Sequence, residues 1–204
     1  MKRAVIAAAA VLLVAGAAHA ATVIEDWSNI KPAPAPQLKP VKADAKTTAL
    51  LMLDFMNQNC GKRPACVASV PGAKKLLEAA RAAHATVVYS FIANTGPNDV
   101  IKDVAPKADE PHVIAGPDKF LHTDLEKILK DKSIKTVIAI GTSSDGAVLY
   151  TASGAALRGM DVIVPVDGMS STSPFTDLAT TWIFHDAPLV SKKVTLTTMG
   201  QVTF

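Results

Sequence analysis

Two short segments of this chain carry residues in an arrangement suited to catalysis. In Leu51-Met52-Leu53-Asp54-Phe55-Met56-Asn57 a carboxylate follows directly on an apolar run, so Asp54 stands at the carboxyl edge of a buried strand. Burial there raises a carboxyl pKa unless a cation or several donors hold the ionised form, and a perturbed carboxyl is what acid/base chemistry uses. Capping of the following turn is the other role open to Asp54. The second segment is Ile140-Gly141-Thr142-Ser143-Ser144-Asp145-Gly146-Ala147-Val148, a strand, a tight turn and a helix start. Backbone amides at such a turn can hold an anion or a developing oxyanion, with residues 144–147 as the expected donors. Ser144 or Asp145 could instead simply cap the helix. Ser143 and Ser144 do not sit in a Gly-x-Ser-x-Gly elbow, and no histidine adjoins them as a base.

Strand-length runs without polar alternation occur at Ala49–Leu53, Thr86–Ile92, Thr136–Ile140 and Val162–Val166, as buried parallel strands require. A last short strand is expected at Lys193–Thr198. Between them Pro71–His84 places Leu76, Leu77, Ala80 and Ala83 at helical spacing, and Thr123-Asp124-Leu125-Glu126 reads as a capping box opening a helix through Leu129. Gly146–Leu157 is a further helix, ended by Gly159; Ser173-Pro174 starts another that stops before Pro188. Strands alternating with helices give a three-layer α/β/α domain, a mostly parallel sheet with helices on both faces. Ligands in such sheets bind beyond the carboxyl ends of strands, where the long loop Ala93–Pro117 is either a lid or wall of the site or a plain surface excursion.

These two segments resemble the isochorismatase-like superfamily, which includes nicotinamidases and other cysteine hydrolases. Its members have an apolar strand followed by Asp-x-x-Asn, then Gly-x-x-Thr, a short turn, Cys-Val-x-x-Thr-Ala and a later Gly. The counterparts here are Asp54-Phe55-Met56-Asn57 and Gly141-Thr142 through Ala147-Val148-Leu149-Tyr150-Thr151-Ala152, with Arg158-Gly159 following. Phe120-Leu121-His122-Thr123-Asp124-Leu125 and Val166-Asp167-Gly168-Met169 also match, so the resemblance runs from about Thr47 to the end. It implies the Rossmann-like fold and a site built from an Asp, a Lys and a Cys. Asp54 matches the Asp. The Cys position is Ala147, which has no nucleophilic atom, so no thioester intermediate forms there. The family lysine precedes the Thr-Asp-Leu start by a longer loop; nine residues before Thr123 stands Ile114, and the nearest lysine is Lys119, which either reaches the site or is solvated. The resemblance also implies Asn57, Thr142, Ser143, Ser144, Asp145 and Gly146 as substrate-binding positions and a cis peptide between Thr142 and Ser143. His84, His112, His122 and His185 are scattered, so the metal site of some nicotinamidases is not expected, nor is a cofactor.

The function expected is therefore hydrolysis of a small carboxylate, amide or vinyl ether by non-covalent acid/base catalysis with Asp54. The alternative is a catalytically retired small-molecule-binding protein of the same fold; a purely structural domain has only the proline-rich arm in its favour.

At the N-terminus, Met1-Lys2-Arg3, an apolar run Ala4–Ala18 and Ala18-His19-Ala20 follow the order of a secretory signal peptide, with cleavage after Ala20. The run is shorter than the ~20 residues of a spanning helix, so an exported, periplasmic or secreted protein without a membrane anchor is expected. Residues 21–46, with Pro32, Pro34, Pro36 and Pro40, form an extended arm on the surface or against a second subunit, and residues 47–204 form the domain. Cys60 and Cys66, the only cysteines, are expected to form a disulfide within one loop; a redox or metal pair is disfavoured because the spacing is not Cys-x-x-Cys. Loss of Lys2 and Arg3 takes the formal charge from +3 to +1, and no Lys/Arg cluster interleaves with aromatics, which argues against nucleic acid. A small molecule and further copies of the chain, in a homo-oligomer, are the expected partners.

Overall fold

The computed structural model describes residues 22–204. The expected signal peptide, residues 1–20, lies outside the described residues. Within the N-terminal unit, which extends to Ala35, Val23–Asp26 forms one helical turn with Thr22 and Glu25 closing a capping box. The second unit, Pro36–Phe204, carries the sheet.

Six parallel strands make that sheet: β1 Thr48–Leu53, β2 Thr86–Phe91, β3 His112–Ile114, β4 Thr136–Thr142, β5 Asp161–Pro165 and β6 Val194–Thr197, in the order β3-β2-β1-β4-β5-β6. Met169–Ser170 adds two residues beside the end of β4. The four principal helices are α1 Pro64–Ala82, α2 Leu125–Asp131, α3 Leu149–Leu157 and α4 Pro174–Asp186. Every residue of β1 is buried, and alternate side chains feed two separate cores. Leu50 and Met52 pack with Leu76 and Leu77 of α1, whereas Ala49, Leu51 and Leu53 pack with Leu125 and Leu129 of α2, Ala152 of α3 and Phe184 of α4. The period-2 alternation of a strand thus distributes one apolar run to both faces, producing the three layers.

Strand order reverses between β1 and β4, so the chain leaves these neighbours toward opposite sides and opens a crevice at their carboxyl ends. Gly141 makes the close approach there possible. It has φ +135°, and a Cβ on it would lie 1.9 Å from the Leu53 carbonyl oxygen, which no other residue type accommodates.

Helix α1 begins seven residues before the expected Pro71. Pro64 takes the first helical position, where its missing N–H is harmless, and Pro71 is carried inside the helix. Cys66 consequently lies in the first turn of α1 rather than in a loop, still joined to Cys60 by a disulfide. The expected capping box at Thr123 is also replaced: the Thr123 hydroxyl donates to the Lys119 carbonyl and accepts from the Leu125 N–H, and α2 starts one residue later, with Asp124 at the cap position. Gly159, at φ +85°, and the Ser173-Pro174 cap terminate and start their helices as expected.

The stretch Ala93–Pro117 is ordered. It contains the edge strand β3 and is held by Arg81, which donates to Glu110 (2.7 Å) and to the Ala105 carbonyl (2.9 Å). Val41–Lys42 pairs in parallel with Val202–Thr203, and the Lys39 N–H donates to Leu196, so this part of the arm covers the open edge of β6. Among the described residues no helix is long and apolar enough to cross a membrane.

Candidate functional site

Asp54 closes β1 with φ +55°, a left-handed conformation that Asp tolerates better than most residues. Its N–H still reaches the Ser90 carbonyl (3.3 Å), extending the β1–β2 ladder by one bond. The carboxylate is thereby held by two donors: Ser90 Oγ to Oδ1 at 2.7 Å and Lys119 Nζ to Oδ2 at 2.7 Å. Asp54 is 4% exposed and Lys119 0%, so the pair is dry. Burial pushes the Asp54 carboxyl above its ordinary value; the charge of Lys119, its hydrogen bond, the Ser90 hydroxyl and the more distant charge of Arg63 oppose that rise.

The lysine is positioned through its backbone as well. Its N–H donates to Thr151 Oγ1 on α3 (3.2 Å), its carbonyl accepts from Thr123, and Nζ also approaches the Ala115 carbonyl (3.4 Å). Lys119 therefore reaches the carboxylate rather than solvent, from a position much nearer the α2 start than that of Ile114, which instead forms part of the cleft wall.

Asp54 borders a cleft of about 450 Å³ lined also by Asn59, Arg63, Ile92, Ile114, Ser143 and Ala147. Both ends of the Ala93–Pro117 stretch contribute to its wall. On the opposite side the Thr142–Ser143 peptide is cis. Thr142 Oγ1 accepts from Arg63 (2.8 Å) and donates to the Ser170 carbonyl (3.0 Å), which fixes the turn to its neighbour strand. The Ser143 carbonyl takes the N–H groups of both Gly146 and Val148 at 3.1 Å, forming a wide helical turn over Ser144–Val148 ahead of α3. The Gly146 amide is thus engaged within the turn and is not free to hold a ligand.

The structure brings Asp54, Thr142, Ser143, Gly146 and Ala147 to one cleft with Lys119 behind them. Three expected substrate-binding residues do not line it. Asn57 turns to the Asp99 carbonyl (2.8 Å), the Ser144 hydroxyl donates to Asp177 on α4 (2.7 Å), and Asp145 is exposed. Neither Ser144 nor Asp145 makes a side-chain cap to this turn. Ser90, Asn59 and Arg63 escaped the sequence argument. Ser90 had only a weak signal, a small hydroxyl near the carboxyl end of a buried strand that also carries Thr86 and Tyr89. Arg63 had only its place between two cysteines. Among the described residues no group of three His, Cys, Asp or Glu is placed to hold a metal ion.

Comparison with known proteins agrees with this architecture. The isochorismatase domain family matches residues 48–184. An isochorismatase-like hydrolase from Alkaliphilus metalliredigens superposes with a TM-score of 0.69 at 23% identity, covering 78% of this chain and 97% of that one. A cysteine hydrolase from Pseudomonas syringae pv. phaseolicola 1448A gives 0.68 at 22% identity, with 82% and 95% covered. An N-carbamoylsarcosine amidase from Thermoplasma acidophilum gives 0.66 at 23% identity, with 75% and 96% covered. At these identities the likeness concerns the fold. No curated protein matched the chain.

Proposed function

Because the chain belongs to the isochorismatase family, we propose that it is a hydrolase of a small carboxylate, amide or vinyl ether substrate, working by non-covalent acid/base catalysis with Asp54. The observation that carries this reading is the dry Asp54–Lys119 pair opening onto the cleft at the sheet's reversal point. A buried ion pair is weak evidence for stability, since desolvation offsets most of the attraction, so its location beside a cleft favours chemistry. In the protonated form that burial favours, Asp54 gives its proton to the substrate, and Lys119 and Ser90 stabilise the carboxylate left behind. That carboxylate then takes a proton from the attacking water, which restores the acid and leaves water added across the broken bond.

Ala147 stands where the family nucleophile would be, with only a methyl group facing the cleft, so no covalent intermediate is part of this scheme. The same methyl group favours the second reading, a retired site that only binds. A hydrolysis screen of the purified protein against amides, nicotinamide and vinyl ethers, beside Asp54→Asn and Ala147→Cys, separates the two. Turnover by wild type that is lost in Asp54→Asn supports the acid catalyst; activity confined to Ala147→Cys refutes it in favour of the retired site.

Export is part of the same reading, supported by the leader pattern of residues 1–20 and compatible with the Cys60–Cys66 disulfide. Cell fractionation and the N-terminal sequence of the processed chain test it, and gel filtration tests the expected homo-oligomer.

A further inference from the structure

Arg63 is the one cation among the residues lining the cleft. Its guanidinium makes one side-chain hydrogen bond, from Nη1 to Thr142 Oγ1, and among the described residues it enters no ion pair. A guanidinium has five N–H donors, so a single bond to Thr142 leaves most of its capacity for a ligand. Neither carboxylate nearby forms an ion pair with it. Asp54 is neutralised by Lys119, and Asp177, which lines the adjoining hollow with Arg63, accepts from Ser144. With the Asp54–Lys119 pair contributing no net charge, the cleft carries the positive charge of Arg63, beside the neutral donors Asn59 and Ser143.

The backbone of this arginine is tethered on both sides. Cys60 and Cys66 enclose it in a loop closed by their disulfide, its N–H donates to the Cys60 carbonyl (2.9 Å), and the next residue, Pro64, opens α1. A long, flexible side chain is therefore presented from a rigid base, so little backbone ordering remains for a ligand to impose.

We propose that Arg63 is the anchor for a substrate carboxylate, and that the Cys60–Cys66 disulfide is the device that positions it. The site then takes small monoanionic acids whose second functional group extends to Asp54. A planar fork of N–H donors meets a carboxylate through two parallel hydrogen bonds, which a neutral carboxamide of the same shape cannot reproduce. This rests on the hydrolase reading only for what happens to the ligand afterwards; the binding preference stands on the cleft alone.

The test is calorimetric titration of the full chain with matched pairs, benzoate against benzamide and nicotinate against nicotinamide. Charge-assisted hydrogen bonds predict that wild type prefers the carboxylate by about tenfold to a hundredfold. Arg63→Gln should bring each pair to within about twofold, and Arg63→Lys should restore part of the preference, because it returns the charge without the fork. Circular dichroism melting establishes that the variants are folded. The Cys60→Ser/Cys66→Ser double variant should lose most of the preference; an unchanged preference overturns the positioning role. Wild type that binds no carboxylate of the series, or binds the partners of each pair equally, overturns the anchor, as does a preference that persists in Arg63→Gln. If wild type hydrolyses nothing in the screen yet keeps its preference, the hydrolase reading fails and the anchor stands. If wild type turns over neutral amides and Arg63→Gln matches it, the anchor fails and the hydrolase reading stands.

Discussion

Replacing Lys119 by Met isolates the electrostatics of the site. The substitution keeps a long unbranched side chain in a buried channel but removes the Nζ that lies 2.7 Å from Asp54. At neutral pH the carboxylate keeps Ser90 as a direct partner and Arg63 at a distance, while remaining buried. Removing one member of a buried pair costs about 3–5 kcal/mol because it leaves an uncompensated charge. Below its folded-state pKa the carboxyl is protonated, so only the change in packing remains, under about 1.5 kcal/mol. The sign of the pH dependence follows from Asp54 having a folded-state pKa above its ordinary value of 3.8. Between the unfolded and folded values the folded state binds more protons, so stability falls as pH rises through that window and is flat beyond it. Losing Lys119 moves the upper limit of the window higher. The gap between wild type and Lys119→Met should widen by about 1.4 kcal/mol per pH unit from the wild-type folded pKa upward. It should level off once the gap reaches the roughly 3–5 kcal/mol lost with the pair. Urea denaturation of both proteins across pH 4–9 measures this, and the other titrating groups cancel in the difference. A gap that shows no dependence on pH anywhere in this range, or one below about 1 kcal/mol at its upper end, would refute a titrating buried pair at this position.

Two further outcomes follow from the same geometry. Gly141→Ala should destabilise by more than about 4 kcal/mol or abolish folding, measured by urea denaturation, since its methyl would stand 1.9 Å from the Leu53 carbonyl oxygen at φ +135°. Ser90→Ala removes the 2.7 Å hydrogen bond to Asp54 and should cost about 1.5–3 kcal/mol while raising the Asp54 pKa further. In the acid mechanism its pH–rate profile then holds its protonated limb to higher pH than wild type, and an unshifted profile would separate Asp54 from the titration that governs the rate.

Strands β1, β2, β4 and β5 were legible because each is an apolar run of strand length, and β1 illustrates the pattern with both faces buried; β3, with only its middle residue buried, gave no such run. Asp54 was legible because a carboxylate ending such a run stands out, and the Gly141-Thr142 turn because glycine there answers a need of the backbone itself. Helix starts were less so. Pro71 has the local chemistry of a first-turn residue, yet burial of Cys66, Ser69 and Val70 extends α1 back to Pro64, and tertiary packing prevailed over the local signal. Thr123 has the local chemistry of a cap, but its hydroxyl serves the Lys119 carbonyl instead.

From the sequence alone came the class of fold, the carboxylate that ends β1, the turn facing it and the absence of a nucleophilic atom at Ala147, because each depends on residue type and near-neighbour spacing. Tertiary structure alone decided which cation meets Asp54 and which residues line the cleft. Lys119 is 65 positions from Asp54, Ser90 is 36, and Arg63 meets Thr142 across 79, so these contacts exist only once the parallel strands are in register. Asn57 and Asp145 show the converse: each lies within three positions of a site residue in the chain, yet its side chain is carried away from the cleft.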